Sequence, residues 1–147
     1  MMPSSAERIG DAAILIARIL LVLLFVVFGW SKLTNYSAAV GGMANLGAPI
    51  PSVAALVAIV VEFFIGLAVA FGAWTRPLAL LLALYTLGTA LIAHHFWTMD
   101  GDVRSENAIN FYKNISIIGG FLLLYVTGGG KYSVDTARLG SGDLLLR

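Results

Sequence analysis

Four long apolar runs alternate with short polar breaks along this chain. The first, from Ala12 to about Leu33, reads AAILIARILLVLLFVVFGWSKL. It exceeds the ~20 apolar residues that a helix needs to cross the hydrocarbon layer of a bilayer. A signal peptide carries an apolar region of only about 7–15 residues, and this run also holds Arg18, so it reads as a retained span. The segment Thr34 to Pro51 has no charged residue and is broken by Gly, Pro, Asn and Ser, as connectors are. Its middle predicts a short amphipathic helix at the membrane surface with Val40, Met43 and Leu46 facing lipid. Ser52 to about Ala73 forms the second span. Pro77 sits in the first turn of the third, where its missing N–H is not needed. That span ends near Trp97, and TMDGDVRSE (98–106) is polar enough to lie in water. A fourth span runs from about Asn107 or Ala108 to Thr127 before Gly128-Gly129-Gly130 ends it.

The pattern predicts an all-α fold, an integral membrane four-helix bundle in one domain over 12–127. Its spans are about 12–33, 52–73, 77–97 and 108–127, with a short interfacial helix between the first two. Residues 1–11 and the polar, loosely ordered tail 128–147 are expected outside the membrane. Arg8, Arg76, Lys131, Arg138 and Arg147 share one side. By the positive-inside rule both termini are therefore cytoplasmic.

Composition narrows the chemistry. The 147 residues are 59% hydrophobic and 12% charged, against ~45–50% and ~25% in soluble domains. Such a surface implies lipids as neighbours. A net charge of +1 without a basic cluster excludes a nucleic-acid partner. The chain has no cysteine, so it offers no thiol redox pair and no iron–sulfur ligation. Neither a metal nor a haem is expected from this chain alone, and redox work would fall to a bound quinone or other cofactor.

Ionisable residues inside the spans cost at least ~2.5–3.5 kcal/mol each at a helix centre, so each needs a reason. Arg18 shares a stripe with Phe25, Gly29 and Lys32. It lies roughly 9 Å inside its helix end, where it snorkels, anchors the tail with Asp135 as a partner, or serves a ligand. Glu62 lies near the midplane, with Gly66 and Ala73 on its face. A carboxylate too deep to snorkel is paired, protonated or beside a polar cavity, and Lys113, Lys32 or His94 can supply the partner. It is then either a structural lock or a proton-handling group. His94 tops a stripe of Ala90, Thr86 and Ala83 that allows close helix approach. His95 sits on a neighbouring face beside Phe96 and Trp97, an interfacial aromatic belt. Adjacent histidines on a helix point about 100° apart, which suits neither a metal nor a haem. Lys113-Asn114 opens the fourth span, and Gly119-Gly120 marks a close helix contact.

Several short motifs recur in order. Arg18 precedes Gly29-x-x-Lys32-Leu33 and Gly47-Ala48-Pro49-Ile50-Pro51. Glu62-x-x-x-Gly66, Gly72-x-x-Thr75-Arg76 and His95-Phe96 follow, then Lys113-Asn114 and Gly128-x-Gly130-x-x-Ser133-x-Asp135. Together they resemble the DoxX family of small prokaryotic membrane proteins, over nearly everything from Arg18 to Asp135. The resemblance implies a four-helix bundle in the prokaryotic cytoplasmic membrane. It also implies a subunit or accessory protein of a quinone-linked redox system, working with other membrane or redox-complex subunits or as a homo-oligomer. On that expectation Glu62 and His94 handle protons, and Arg18, Lys32, Lys113, Asn114 and His95 hold a quinone or similar lipophile. Gly29, Gly66, Gly120 and Asp135 are then structural. The competing expectations are a non-catalytic scaffold whose charges are structural pairs, and a small proton or solute carrier.

Overall fold

A computed structural model describes residues 5–144. Arg147, used above for orientation, lies outside the described residues. The chain is helical throughout, with no strand among the described residues. Helix α1 covers Ser5–Thr34, and α2, Tyr36–Asn45, is the short connector helix. The second span begins as α3, Pro51–Ile59. It passes through a π-helical segment, Val60–Ile65, and finishes as α4, Gly66–Phe71. Helix α5, Thr75–Ala93, leads through a 3₁₀ turn at Phe96–Thr98 into α6, Gly101–Thr127, and α7 covers Val134–Leu144. Four stretches are long and apolar enough to cross a membrane: Arg8–Thr34, Pro51–Phe71, Thr75–Thr98 and Gly101–Thr127. The protein is a four-helix membrane bundle.

A thin core explains how the spans hold together. Val22, Phe25, Val69, Leu82, Phe121 and Leu124 are buried along the bundle axis, with Phe25 and Phe121 meeting edge to face at 5.4 Å. Large apolar side chains such as Leu20, Val27, Leu84 and Leu123 point outward. Lipid covers them. Without water to drive burial inside the bilayer, association depends on close packing, which small residues permit. The stripe of Ala83, Thr86 and Ala90 is buried, and α5 makes its most extensive contact with α6. Gly120 of α6 faces Leu21 of α1, whereas Gly119 faces open space.

Gly29 sets the tightest approach. A Cβ at Gly29 would lie 2.5 Å from the Phe63 nitrogen and 2.9 Å from the Glu62 carbonyl carbon. These are backbone atoms and cannot move aside alone. Gly29→Ala is therefore expected to push α1 off the π-helical segment and to cost about 1–3 kcal/mol, the usual range for overpacking. A thermal scan in detergent checks it.

Three boundaries differ from the hydropathy pattern. Helix α6 begins at Gly101, so most of the polar stretch 98–106 forms its first turns rather than a loop. Hydropathy reports where lipid ends, not where backbone hydrogen bonding ends. Helix α5 stops at Ala93, and His94 (φ −124°, ψ 42°) and His95 lie beyond it. The two rings are therefore not the adjacent helical pair, about 100° apart, that the sequence predicts. The tail is helical over Val134–Leu144 and tethered to the bundle, not loosely ordered. Met43 and Leu46 of the connector line a groove with Phe28 and Lys32 of α1 instead of turning wholly to lipid.

Candidate functional site

Two polar assemblies occupy opposite ends of the bundle. At the end of the inter-span loops, a cavity of about 280 Å³ opens between α1 on one side and α5 and α6 on the other. Leu24, Phe25 and Phe28 form its apolar wall. Its polar wall brings together Lys32, Glu62, His94, Lys113 and Asn114, five of the residues singled out from sequence.

Glu62 projects from the π-helical segment. Such segments insert an extra residue into a helical turn and are frequent at functional sites. Both carboxylate oxygens of Glu62 are engaged. Lys32 donates to Oε2 at 2.6 Å, and the Tyr85 hydroxyl donates to Oε1 at 2.7 Å. Lys32 is thus the partner among the three candidates. The pair is the only salt bridge among the described residues, with the Lys32 side chain 24% exposed and that of Glu62 11%.

His94 lies at the far rim of the cavity. The Asn107 amide donates from Nδ2 to Val103 O, so its Oδ1 accepts from His94 Nδ1 at 2.9 Å. In a neutral ring this assignment leaves Nε2 as an acceptor. Lys113 donates to Asn110 Oδ1 at 2.7 Å, so its ammonium has an amide partner but no carboxylate. His95 is not brought to this cavity. Its Nδ1 meets Ile92 O, and its ring stands 6.3 Å from Trp97 in the aromatic belt.

Arg18 sits at the other end, only 1% exposed. Its guanidinium donates to three backbone carbonyls: Ala70 (3.1 Å), Gly129, and Tyr132 (2.8 Å). The acceptors are carbonyls, not the Asp135 carboxylate expected from sequence. Asp135 instead accepts from the Trp74 and Thr75 N–H groups at 2.7 and 2.8 Å. It caps α5 across 60 residues, because Trp74 at the N-cap supplies no side-chain bond of its own. Gly72 (φ 72°), Gly128 (φ 74°) and Gly130 (φ 72°) supply left-handed turns that side chains resist. A Cβ at Gly129 would strike Thr75 Oγ1 and Ser133. Arg18 therefore anchors the tail and lines a different cavity from Glu62.

Burial acts to raise the Asp135 pKa. Hydrogen bonding by Thr75 and Trp74, with Arg138 nearby, outweighs it and holds the carboxyl below its ordinary 3.8. A depressed carboxylate stabilises the fold above its unfolded pKa, and that contribution is lost as pH falls through the lower folded value. Asp135→Ala is expected to cost about 1 kcal/mol at neutral pH, as for a lost N-cap. The difference from the unsubstituted protein should shrink below about pH 4. Thermal melts across pH check both.

The DoxX family model matches residues 13–95, more than half of the chain. The chain belongs to the DoxX family. It is 51% identical over 122 residues to the inner membrane protein YphA of Escherichia coli, covering 83% of this chain and 87% of that one. It is 40% identical over 129 residues to the inner membrane protein YqjF of the same organism, covering 88% and 94%. No solved structure matches it.

The geometry explains why the scattered motifs of this DoxX protein belong together. Arg18, Gly72-x-x-Thr75, Gly128-x-Gly130 and Ser133-x-Asp135 build one clasp. Gly29-x-x-Lys32 and Glu62-x-x-x-Gly66 build one wall of the cavity. Tyr85 escaped the sequence reading, although a signal existed. Glu62 lies 10 residues before Gly72 and Tyr85 11 residues after Trp74, which puts them at a similar depth on neighbouring antiparallel spans. A mid-span tyrosine also needs a partner for its hydroxyl. Nothing in the local sequence marks the π-helical segment.

Proposed function

We propose that this chain is a membrane subunit or accessory protein of a quinone-linked redox system, in the inner membrane with both termini cytoplasmic. It holds a quinone or similar lipophile in the cavity between α1 and α6. One observation carries the reading. In a chain poor in polar side chains within its spans, Lys32, Glu62, Tyr85, His94, Lys113 and Asn114 converge on a single cavity with an aromatic wall. Ligand sites join a largely apolar wall to a few convergent polar groups, and ionisable side chains at membrane depth are functional by default. Charges on Lys32 and Glu62 cancel, so Lys113 leaves the cavity net positive and suited to a carbonyl or developing oxyanion.

Extraction of protein purified in mild detergent, followed by mass spectrometry, tests the reading. A quinone retained near one per chain is the expected result. Retention of phospholipid alone overturns it. A second reading has its own observation: both oxygens of Glu62 are already satisfied by Lys32 and Tyr85. That suits a non-catalytic scaffold whose buried charges lock the spans, and it expects no ligand at all.

A further inference from the structure

The polar groups on the cavity wall are not equally free to meet a ligand. Glu62 is closed by Lys32 and Tyr85. His94 is tied to Asn107, and Lys113 to Asn110. Asn114 differs. It is only 8% exposed, it lines the cavity, and its side-chain amide bonds to none of the described residues. The amide opens onto the cavity and is free to bond there; the one fully enclosed side-chain polar atom without a partner among the described residues is Thr75 Oγ1. Asn107 and Asn110, on the same helix, each bond to a neighbouring side chain.

We infer that the Asn114 amide is the group that fixes a ligand, by donating a hydrogen bond to a neutral carbonyl oxygen on the ring of a lipophile lodged between α1 and α6. This deepens the quinone-site reading and rests on it. A ring carbonyl oxygen needs only the one neutral donor that Asn114 supplies. A phosphate would instead be held chiefly by the Lys113 ammonium on the same wall and would depend little on Asn114. Size agrees as well. A dry cavity of about 150 Å³ accepts a benzene ring, so about 280 Å³ admits a substituted ring against the α1 wall that carries Phe25 and Phe28. The same α1–α6 seam carries an apolar groove of about 230 Å³ lined by Leu21, Gly120 and Leu124, suited to the tail. Lys32, Glu62 and Tyr85 then hold the wall in place and do not touch the ring.

The test titrates decylubiquinone into the protein in nanodiscs, read by quenching of tryptophan fluorescence, for the unsubstituted chain, Asn114→Leu and Asn114→Gln. Asn114→Leu should weaken binding roughly tenfold, the value of one well-placed hydrogen bond. Its melting temperature should be unchanged, because no described residue bonds to the amide. Asn114→Gln should recover part of the affinity. Equal binding by the unsubstituted chain and Asn114→Leu overturns the inference and leaves the quinone-site reading standing. No binding by the unsubstituted chain overturns both. A loss of melting temperature in Asn114→Leu overturns the inference, since it makes Asn114 a structural residue. Dodecyl phosphate that displaces the quinone in an Asn114-dependent way overturns the neutral head.

Discussion

Replacing Arg18 with Met is expected to destabilise the bundle by roughly 2–4 kcal/mol, the cost of leaving several buried carbonyls without their donor. Met fills much of the space, so the loss isolates the guanidinium. Three backbone carbonyls from two separate segments, Ala70 on one and Gly129 and Tyr132 on the other, lose their donor together. A hydrogen bond to a charged group is worth about 1.5–3 kcal/mol. In membranes the average side-chain bond is nearer 0.6 kcal/mol, so the total falls well short of three full bonds. Arg18→Lys should recover only part of the loss, because one ammonium cannot reproduce the planar fork that spans three acceptors. Unfolding in a mixed-micelle titration reads the difference, and limited proteolysis should show the tail after Gly128 cut earlier in the variant. An Arg18→Met protein as stable as its parent, with an intact tail, would mean that another contact holds this end.

The second large effect is at Lys32. Lys32→Met is expected to cost about 3–5 kcal/mol, because it strands the Glu62 carboxylate in an apolar setting. Glu62→Gln should cost less. Lys32 is the more exposed partner and sits one turn from the end of α1, so its flexible stem can carry the ammonium to the interface. The double variant Lys32→Met with Glu62→Gln should be more stable than Lys32→Met alone, since it removes the stranded charge. Thermal scans of the four proteins form a double-mutant cycle. If the double variant is no better than Lys32→Met, the pair is not coupled in the way the 2.6 Å contact implies.

Most of the architecture was legible because a bilayer imposes a length on apolar runs: the number of spans follows from them, while the end of the third and the start of the fourth do not. The inward stripe of Arg18, Phe25 and Gly29 was legible for the same reason, since helical period alone puts them on one face. The partner of Glu62 was not. Lys32, Lys113 and His94 all reach a similar depth, and only the close approach at Gly29 decides that α1, rather than α6, lies against Glu62. Asp135 was one possible partner for Arg18, being just beyond the fourth span. It stays close enough to act on the guanidinium through space, but its hydrogen bonds go to the two open N–H groups at the start of α5. The order in the tail was hidden in its polar composition. Its stability comes from a few hydrogen bonds and left-handed glycines rather than from an apolar face.

The clasp also has a consequence for biogenesis. Arg18 is synthesised 111 residues before Gly129 and 114 before Tyr132. At roughly 5–20 residues per second, the ribosome needs about 6–23 s to make up that distance. During this interval the first span holds a guanidinium whose final acceptors do not yet exist, and the insertion machinery or interfacial water must shelter it. The first hairpin can pack early through Lys32 and Glu62, but the clasp at the Arg18 end cannot. It closes in one late step, when the triple glycine and the residues after it leave the ribosome.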